Sequence, residues 1–305
     1  MHFFKNIKLI DFSIILVSVL TFCLVFYTLI TPFTPHKQVY FGIVDPENTF
    51  EQFKKITIEN RFLAWSVDTS QFQNELEGIL ARKRLPIITI EPWAIDQKDR
   101  NNYVLSNLKT PKYQKIIQNY CSIVNKTNKK VIFRIGHEMD QIGSRYPWAN
   151  GDSEGFKDVF RFWVDTCKKE TKLVDFMWSP VGVAGLEKYY PGSEYVDIIG
   201  LSTFGNPEYE QKVLGKKYNF EDHFNDRYKR VASYGKDVYL AEFGVAGGEQ
   251  YQLPWLKKAQ KAILNPFMYP NLKAVVYFQF KDPNPWVEGT RAPDFRVKKE
   301  FYPFN

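Results

Sequence analysis

The chain has 305 residues, a length that fits either two ordinary domains or one large α/β barrel. Hydrophobic residues make up 44% of the chain, enough for a sizeable core, and aromatic residues reach 17%. The formal net charge is +7, but basic residues are scattered among acidic ones, so the charge does not predict a nucleic-acid-binding protein. With four histidines and three cysteines in no zinc-like spacing, the sequence predicts neither a metal site nor a cofactor.

Each cysteine lies in an apolar stretch. Cys23 belongs to the apolar N-terminal run, whereas Cys121 and Cys167 fall on the apolar faces of predicted helices. We therefore expect the latter two to be small buried hydrophobic side chains.

Residues 12–30 form an uncharged, apolar run close to the ~20 residues that a helix needs to cross a bilayer. A cleaved signal peptide is the alternative, but its apolar region is usually shorter and ends in small residues. Because Lys5 and Lys8 precede the run, residues 1–11 should be cytoplasmic. We expect a membrane anchor at 12–30, a linker at 31–38, and a single extracytoplasmic domain at 39–305.

After the linker, short apolar runs rich in β-branched and aromatic residues recur eight times, as expected of strands buried on both faces. The predicted strands are Val39–Val44, Phe62–Val67, Leu85–Ile90, Val131–Ile135, Leu173–Trp178, Val196–Leu201, Val238–Phe243 and Ala274–Phe280.

Helical patterns separate these strands. Thr110 and Pro111 predict the start of one helix, and Asp152 or Ser153 the start of another. Weaker patterns cover 220–234 and 253–264. Eight strands that alternate with helices predict a (β/α)8 barrel, with a short or irregular eighth helix.

Active sites of such barrels lie at the carboxyl ends of the strands. Two glutamates stand out there: Glu138 follows the fourth predicted strand, and Glu242 lies near the end of the seventh. A buried carboxylate costs several kcal/mol unless it is paired or used. Because two such acids come from strands far apart in sequence, they indicate a shared site of the kind that glycosidases use. The other polar or aromatic strand ends are Asp45, Asp68, Glu91, Trp93, His137, Trp178, Thr203, Phe204, Lys281 and Asp282.

The fourth-strand segment Arg134-Ile-Gly-His-Glu-Met-Asp140, followed by Tyr146-Pro-Trp148, resembles the signature of glycoside hydrolase family 26. Asp197-Ile-Ile-Gly-Leu201 and Ala241-Glu-Phe-Gly244 look like the sixth and seventh strands of that family. The resemblance covers roughly residues 38–290. That family is known for β-mannanases, with β-1,3-xylanases and mixed-linkage β-glucanases beside them.

The resemblance implies a retaining mechanism in which Glu138 is the general acid/base and Glu242 the nucleophile, with carboxyl groups about 5–5.5 Å apart. His137 would help to bind the sugar next to the cleaved bond or hold the catalytic hydrogen bonds, and Arg134 would hydrogen-bond a carboxylate or form a purely structural ion pair. Sugar-stacking platforms would come from Trp148 and, as further candidates, from Trp93, Trp178 and Trp286, with Phe204 also at the substrate site.

Two positions depart from the family pattern. Phe204 stands where the family usually has a tyrosine that hydrogen-bonds the nucleophile, so either that bond is lost or Tyr277 or another group replaces it. Asp140 stands where asparagine is usual and adds an acid near the cleft.

Three functions remain open at this point. The first is a membrane-anchored retaining endo-β-glycanase that acts on β-mannan or β-glucan, with exopolysaccharide synthesis or export machinery as a candidate partner. The second is a non-catalytic glycan-binding or polysaccharide-assembly protein on the same barrel. The third, a metal-dependent hydrolase using His137, Glu138 and Asp140, is disfavoured because adjacent strand residues point to opposite faces.

Overall fold

The computed structural model describes residues 37–95 and 103–302. Its strands are all parallel to their neighbours, pair in chain order and close into a barrel in which β8 returns to β1. The barrel expected from the alternating pattern is thereby confirmed. The strands are β1 (Tyr40–Val44), β2 (Ile58–Ala64), β3 (Leu85–Glu91), β4 (Val131–Ile135), β5 (Val174–Trp178), β6 (Ile198–Gly205), β7 (Asp237–Val245) and β8 (Leu272–Phe278).

The predicted anchor at 12–30 lies outside the described residues, as does most of the linker. Within 37–95 and 103–302, no helix combines the length and the apolar composition needed to cross a bilayer.

The main helices start where side chains can cap them. The carboxylates of Asp68 and Asp152 accept backbone N–H groups at the first turns of their helices, and Pro111 occupies the first turn of a third. Between β8 and the last described residue, Tyr302, the helical structure is limited to a 3-10 turn at Lys299–Phe301, in line with the expected irregular eighth helix. The main helices are Thr69–Ala81, Pro111–Thr127, Ser153–Glu170, Phe220–Ala232 and Glu249–Leu264.

The second strand lies earlier in the chain than the sequence pattern predicted. It was expected at Phe62–Val67 but begins at Ile58, because the polar run from Glu59 to Arg61 is buried inside the fold rather than exposed in a loop. Glu59 forms ion pairs with Arg82 and Arg84, at 2.7 and 2.8 Å. Burial of a charged run is tolerated when each charge has a partner, and periodicity does not reveal those partners.

Two apolar layers hold the barrel. The larger one fills the space between the strands and the surrounding helices, and the smaller one fills the barrel interior. The interior layer consists of Val44, Ile58, Ile87, Ile132, Met177, Ile198, Ala241, Ala274 and Val276. Polar side chains follow toward the carboxyl ends of the strands, where Thr89 donates to Asn60 and Arg134 is fully buried.

The structure corrects the expectation for two cysteines. Cys121 and Cys167 are buried as expected, but they are joined in a disulfide between helices Pro111–Thr127 and Ser153–Glu170. Helical periodicity placed each cysteine on an inward face; it could not show that two such faces meet.

Candidate active site

The turn after β4 presents Glu138. Gly136 and Glu138 both adopt left-handed backbone conformations, with φ of 54° and 58°. A glutamate in this region is uncommon, and such strained residues cluster at functional sites. The backbone N–H of Glu138 donates to the carbonyl of Ser179 at 2.8 Å, which ties the turn to the end of β5. The turn breaks the alternation of the strand, so Glu138 faces the axis of the barrel although His137 precedes it directly.

A bulge in β7 presents Glu242. Leu201 of β6 pairs with Leu240, but the next residue, Ser202, pairs with Glu242, so Ala241 is an extra residue on β7. The register between β7 and β8 shifts at the same place. Bulges near active sites redirect side chains in this way. Here Ala241 stays in the interior apolar layer while Glu242 also turns toward the axis, just above it.

Arg134 connects the polar groups beneath the site. Its guanidinium forms an ion pair of 2.6 Å with Glu242 Oε1, and its Nε donates to Ser179 Oγ at 2.8 Å. A third contact reaches Ser202 Oγ at 3.3 Å, and that hydroxyl lies 3.4 Å from Glu242 Oε1. Arginine is suited to this position because it keeps its charge when buried and donates several bonds in one plane.

The two carboxyl groups have different surroundings. Burial, reinforced by the charge of Glu242, raises the pKa of Glu138 to about 7, against the opposing effects of Arg134, Ser202 and Arg227. Glu242, in contrast, is paired directly with the guanidinium of Arg134. A protonated carboxyl beside a paired carboxylate is the division of roles that an acid/base and a nucleophile require.

Both glutamates open into one cleft of about 750 Å³ at the carboxyl ends of the strands. Loops after β4, β5, β6 and β8 and the helix Phe220–Ala232 form its walls. Its lining residues are Glu138, Gln141, Ser144, Arg145, Tyr146, Val181, Ser202, Phe204, Asn206, Tyr209, Glu210, Leu214, His223, Arg227, Glu242, Phe278, Asp282, Pro283, Asn284, Pro285 and Trp286.

Of the aromatic residues expected at the site, Phe204 and Trp286 line the cleft. Trp286 is 39% exposed, its ring lies 5.9 Å from that of Phe204, and its Nε1 donates to Asp282 at 2.6 Å. The ring of Tyr209 makes an edge contact with the tryptophan at 5.7 Å. This wall offers a fixed aromatic face to a sugar ring.

Trp148 and Trp178 do not reach the cleft, which corrects their expected stacking roles. Both are fully buried, and a side chain without exposed surface presents no face to a ligand. Trp148 instead lies behind Tyr146, in a stacked contact of 4.7 Å. Tyr146 takes the place at the cleft, so the aromatic pair after β4 has the opposite arrangement to the one predicted. Trp93 is partly buried and packs edge-on against Trp148 at 5.2 Å, outside the lining of the cleft.

His137 is buried beneath the cleft rather than on its surface. Its ring packs against Tyr146 at 4.6 Å and Phe62 at 5.5 Å, and neither ring nitrogen has a hydrogen-bond partner among the described residues. Burial, together with the charges of Arg134 and Arg145, holds the pKa of His137 well below its usual range. The imidazole is therefore neutral and supports Tyr146 by packing.

The two departures from the family pattern have clear local structures. Tyr277 does not replace the missing tyrosine, because its hydroxyl donates to the carbonyl of Phe295 at 2.7 Å. Arg134 and Ser202 provide the contacts to Glu242 instead. Asp140 is directed away from the expected position in the cleft: its carboxylate accepts the backbone N–H groups of residues 181–183, at 2.7 to 3.1 Å.

This geometry also argues against the metal-dependent alternative. The oxygens of Asp140 are occupied by backbone donors, and His137 is enclosed by aromatic rings. Across the described part of the chain, no cluster of three or more His, Cys, Asp or Glu side chains is arranged to hold a metal ion.

Several cleft residues are not marked by any pattern in the sequence. Asn206 follows β6 directly, but the apolar pattern of the sequence predicts a strand that ends at Leu201, so it does not mark Asn206 as a strand-end residue. Its amide nitrogen is buried and has no partner among the described residues. Arg227 reaches the cleft from a helix and donates to the carbonyl of Ser202, and no strand-end pattern marks such a residue. Glu210 accepts the backbone N–H of Asn206 and contacts His223, both at 2.9 Å or less.

Solved structures with this fold include a modular endo-β-1,4-mannanase from Cellulomonas fimi, with a TM-score of 0.60 and 16% identity. The match covers 82% of this chain and 68% of that one. A β-mannanase from Bacteroides ovatus has a TM-score of 0.52 and 16% identity, over 79% of this chain and 80% of that one. At these identities the likeness establishes the fold alone.

Sequence comparison gives a more specific result. Endoglucanase H of Acetivibrio thermocellus is 26% identical over 252 residues, which cover 77% of this chain. The matched part is 26% of endoglucanase H, so the chain spans about a quarter of the length of that relative. The model of glycosyl hydrolase family 26 matches residues 91–267, more than half of the chain, and includes both Glu138 and Glu242. The chain belongs to glycosyl hydrolase family 26.

Proposed function

We propose that this protein is a retaining endo-β-glycanase that hydrolyses a β-linked polysaccharide of the mannan or glucan type. The observation that carries the proposal is the pair of glutamates in one cleft, one with a pKa raised to about 7 and one paired with a buried arginine. The names of the relatives, an endoglucanase and two mannanases, support the substrate class.

In the proposed first step, Glu242 attacks the anomeric carbon while Glu138 protonates the departing glycosidic oxygen. Arg134 pairs with Glu242 and orients it for attack, and its contact with Ser202 fixes the floor of the site. In the second step, Glu138 is the base that activates water, and the water releases the sugar from the glutamyl ester. Trp286 and Tyr146 supply aromatic faces along the cleft.

We further propose that the domain works outside the cytoplasm, held to the cell membrane by residues 12–30 and placed to process exopolysaccharide during synthesis or export. The disulfide between Cys121 and Cys167 supports an oxidising compartment, because such bonds are rare in the cytosol. The anchor and the export machinery rest on the apolar run alone.

The test is hydrolysis of β-mannan, mixed-linkage β-glucan, xylan and host exopolysaccharide by the fragment 37–305, with Glu138→Ala and Glu242→Ala as controls. We expect new reducing ends from at least one polysaccharide, lost in both variants, and a first product with retained anomeric configuration by NMR. Binding of a glycan without any hydrolysis would instead establish the non-catalytic alternative.

A further inference from the structure

The end of the barrel at which the strands begin, opposite the cleft, is strongly basic. We call it the amino face and define it by the chain segments that lead into β1 to β5, β7 and β8. The segments 37–39, 82–84, 128–130, 171–173, 233–236 and 265–271 contain no Asp or Glu. Two segments do contain acids: the one before β6 has Glu194 and Asp197, and the longer one before β2, residues 45–57, has Asp45, Glu47 and Glu51 ahead of Lys54 and Lys55. The lysines of the amino face are Lys37, Lys54, Lys55, Lys83, Lys129, Lys130, Lys172 and Lys236.

Most of these lysines have no acidic neighbour to neutralise them. Lys54, Lys55, Lys83, Lys129 and Lys172 are exposed, and none has an ion-pair partner in the part of the chain that the structure describes. Lys130 differs, because its ammonium forms an ion pair with Asp175 at 2.9 Å.

Helix dipoles account for only part of this charge. The helices end at the amino face, and lysines in a last turn, such as Lys126 and Lys168, stabilise the negative end of the dipole. Lys129 and Lys172 lie beyond the ends of those helices, and Lys54 and Lys55 follow no helix at all. Their positions therefore call for another explanation.

Exposed apolar side chains lie on the same face. Phe267 is 77% exposed and Met268 37%, both in the segment between the helix Glu249–Leu264 and β8. Lys37 lies on the same part of the face, since its Nζ donates to the carbonyl of Ile263 at 2.8 Å. Exposed aromatic and aliphatic side chains amid lysines are typical of surfaces that bind at a lipid interface.

We propose that the amino face rests on a bilayer surface of anionic phospholipid headgroups, with Phe267 and Met268 among the headgroups. The lysines match the negative surface potential, and each basic residue near such a surface raises affinity about fivefold. The cleft opens at the opposite end of the barrel, so this orientation turns the cleft away from the lipid. The proposal is independent of the reaction that the cleft catalyses.

The fragment 37–305 is suited to the test because it contains every described strand, the main helices and both apolar layers. Its sedimentation would be measured with vesicles of phosphatidylcholine alone and of phosphatidylcholine mixed with phosphatidylglycerol. We expect binding to the mixed vesicles only, and loss of that binding as salt is added. Equal binding to both vesicles, or binding to neither, would overturn the proposal.

Charge reversal at one site provides the matched comparison. The double variant Lys129→Glu, Lys130→Glu should bind mixed vesicles at least about tenfold more weakly. The double variant Lys216→Glu, Lys217→Glu has the same net charge but lies between Leu214 and Phe220, on the side of the cleft, and should bind like the parent. An equal loss in both would show that only net charge matters, against an oriented face. Phe267→Ser should weaken binding without changing its salt dependence, and circular dichroism would check that each variant is folded.

Discussion

The Glu138 carboxyl lies in a part of the cleft where ionisation is unfavourable. Burial is the main cause of its raised pKa, and the neighbouring Glu242 carboxylate adds to it. Such a group holds its proton close to neutral pH and can release it to a leaving oxygen. The same property has a cost in stability, because the fold must bury a group that tends to ionise.

The raised pKa of Glu138 sets the pH dependence of activity. The first step requires the protonated acid, so kcat/KM should fall as the pH rises through about 7. The check is a pH profile of kcat/KM on an oligosaccharide substrate. In Glu138→Gln the activity should drop by about 10² to 10⁴, and the remaining activity should lack this alkaline limb. An alkaline limb that persists in the variant would assign it to another group.

The same carboxyl should reduce stability above its unfolded pKa. Because the folded pKa of Glu138 is higher than the unfolded value, the native state binds more protons between pH 4.5 and about 7, and stability falls across that range. Glu138→Gln should therefore raise the free energy of unfolding at pH 8 by on the order of 3 kcal/mol, with a corresponding rise in Tm. At pH 4 it should have little effect. Thermal unfolding of both proteins at the two pH values measures this difference.

Arg134 stabilises the fold by pairing with the buried Glu242 carboxylate. Replacing it with methionine fills similar volume but leaves the Glu242 carboxylate buried without its ion pair. Loss of one partner of a buried pair costs roughly 3 to 5 kcal/mol, so urea unfolding should show a clear loss of stability in Arg134→Met. The double variant Arg134→Met, Glu242→Gln is the control and should recover much of that loss. A destabilisation that persists in the double variant would point to packing instead.

At the scale of elements, loop placement depends on few side chains. The segment after β5 contributes Val181 to the cleft, and three of its backbone N–H groups, in residues 181–183, donate to the Asp140 carboxylate. A carboxylate can accept all three bonds because it offers only acceptors. An amide in its place would direct a donor nitrogen at other donors.

Asp140→Asn therefore tests whether this contact fixes the loop. We expect a loss of about 1 to 3 kcal/mol, since at least one buried N–H group is left without a partner. Hydrogen exchange should become faster at residues 181–183 and stay unchanged in the barrel strands. Exchange rates equal to those of the parent would show that the loop is held by other contacts.

The elements also show how far the sequence could predict this fold and site. Apolar runs such as Val131–Ile135 identify strands by composition, and β4 was predicted with the bounds that the structure has. The bulge at Ala241 could not be predicted, because it is a register shift between strands that pairing alone reveals. The sequence likewise could not show that Tyr146 faces the cleft and Trp148 lies behind it. Composition reveals an aromatic pair but not which ring is exposed to the cleft.

At the scale of the whole molecule, the disulfide is evidence about the redox state of the compartment in which the barrel folds. Cys121 and Cys167 come from neighbouring helices and lie in the larger apolar layer. A bond between them constrains the unfolded chain over a separation of 46 residues. Such a constraint is available only where thiols are oxidised, so the bond and the proposed extracytoplasmic position depend on each other.

Two measurements test this link. When cells are lysed directly into a denaturant with an alkylating reagent, Cys121 and Cys167 should stay unmodified unless a reductant is added first, because an oxidising compartment keeps them paired. In the purified fragment 37–305, Cys121→Ala with Cys167→Ala should lower stability by roughly 2 to 4 kcal/mol at unchanged kcat, since both residues lie between helices and away from the cleft. Free thiols in freshly lysed cells, together with full stability of the double variant, would contradict the extracytoplasmic proposal. Pairing in cells would place the cleft where a polysaccharide leaving the cell can reach it.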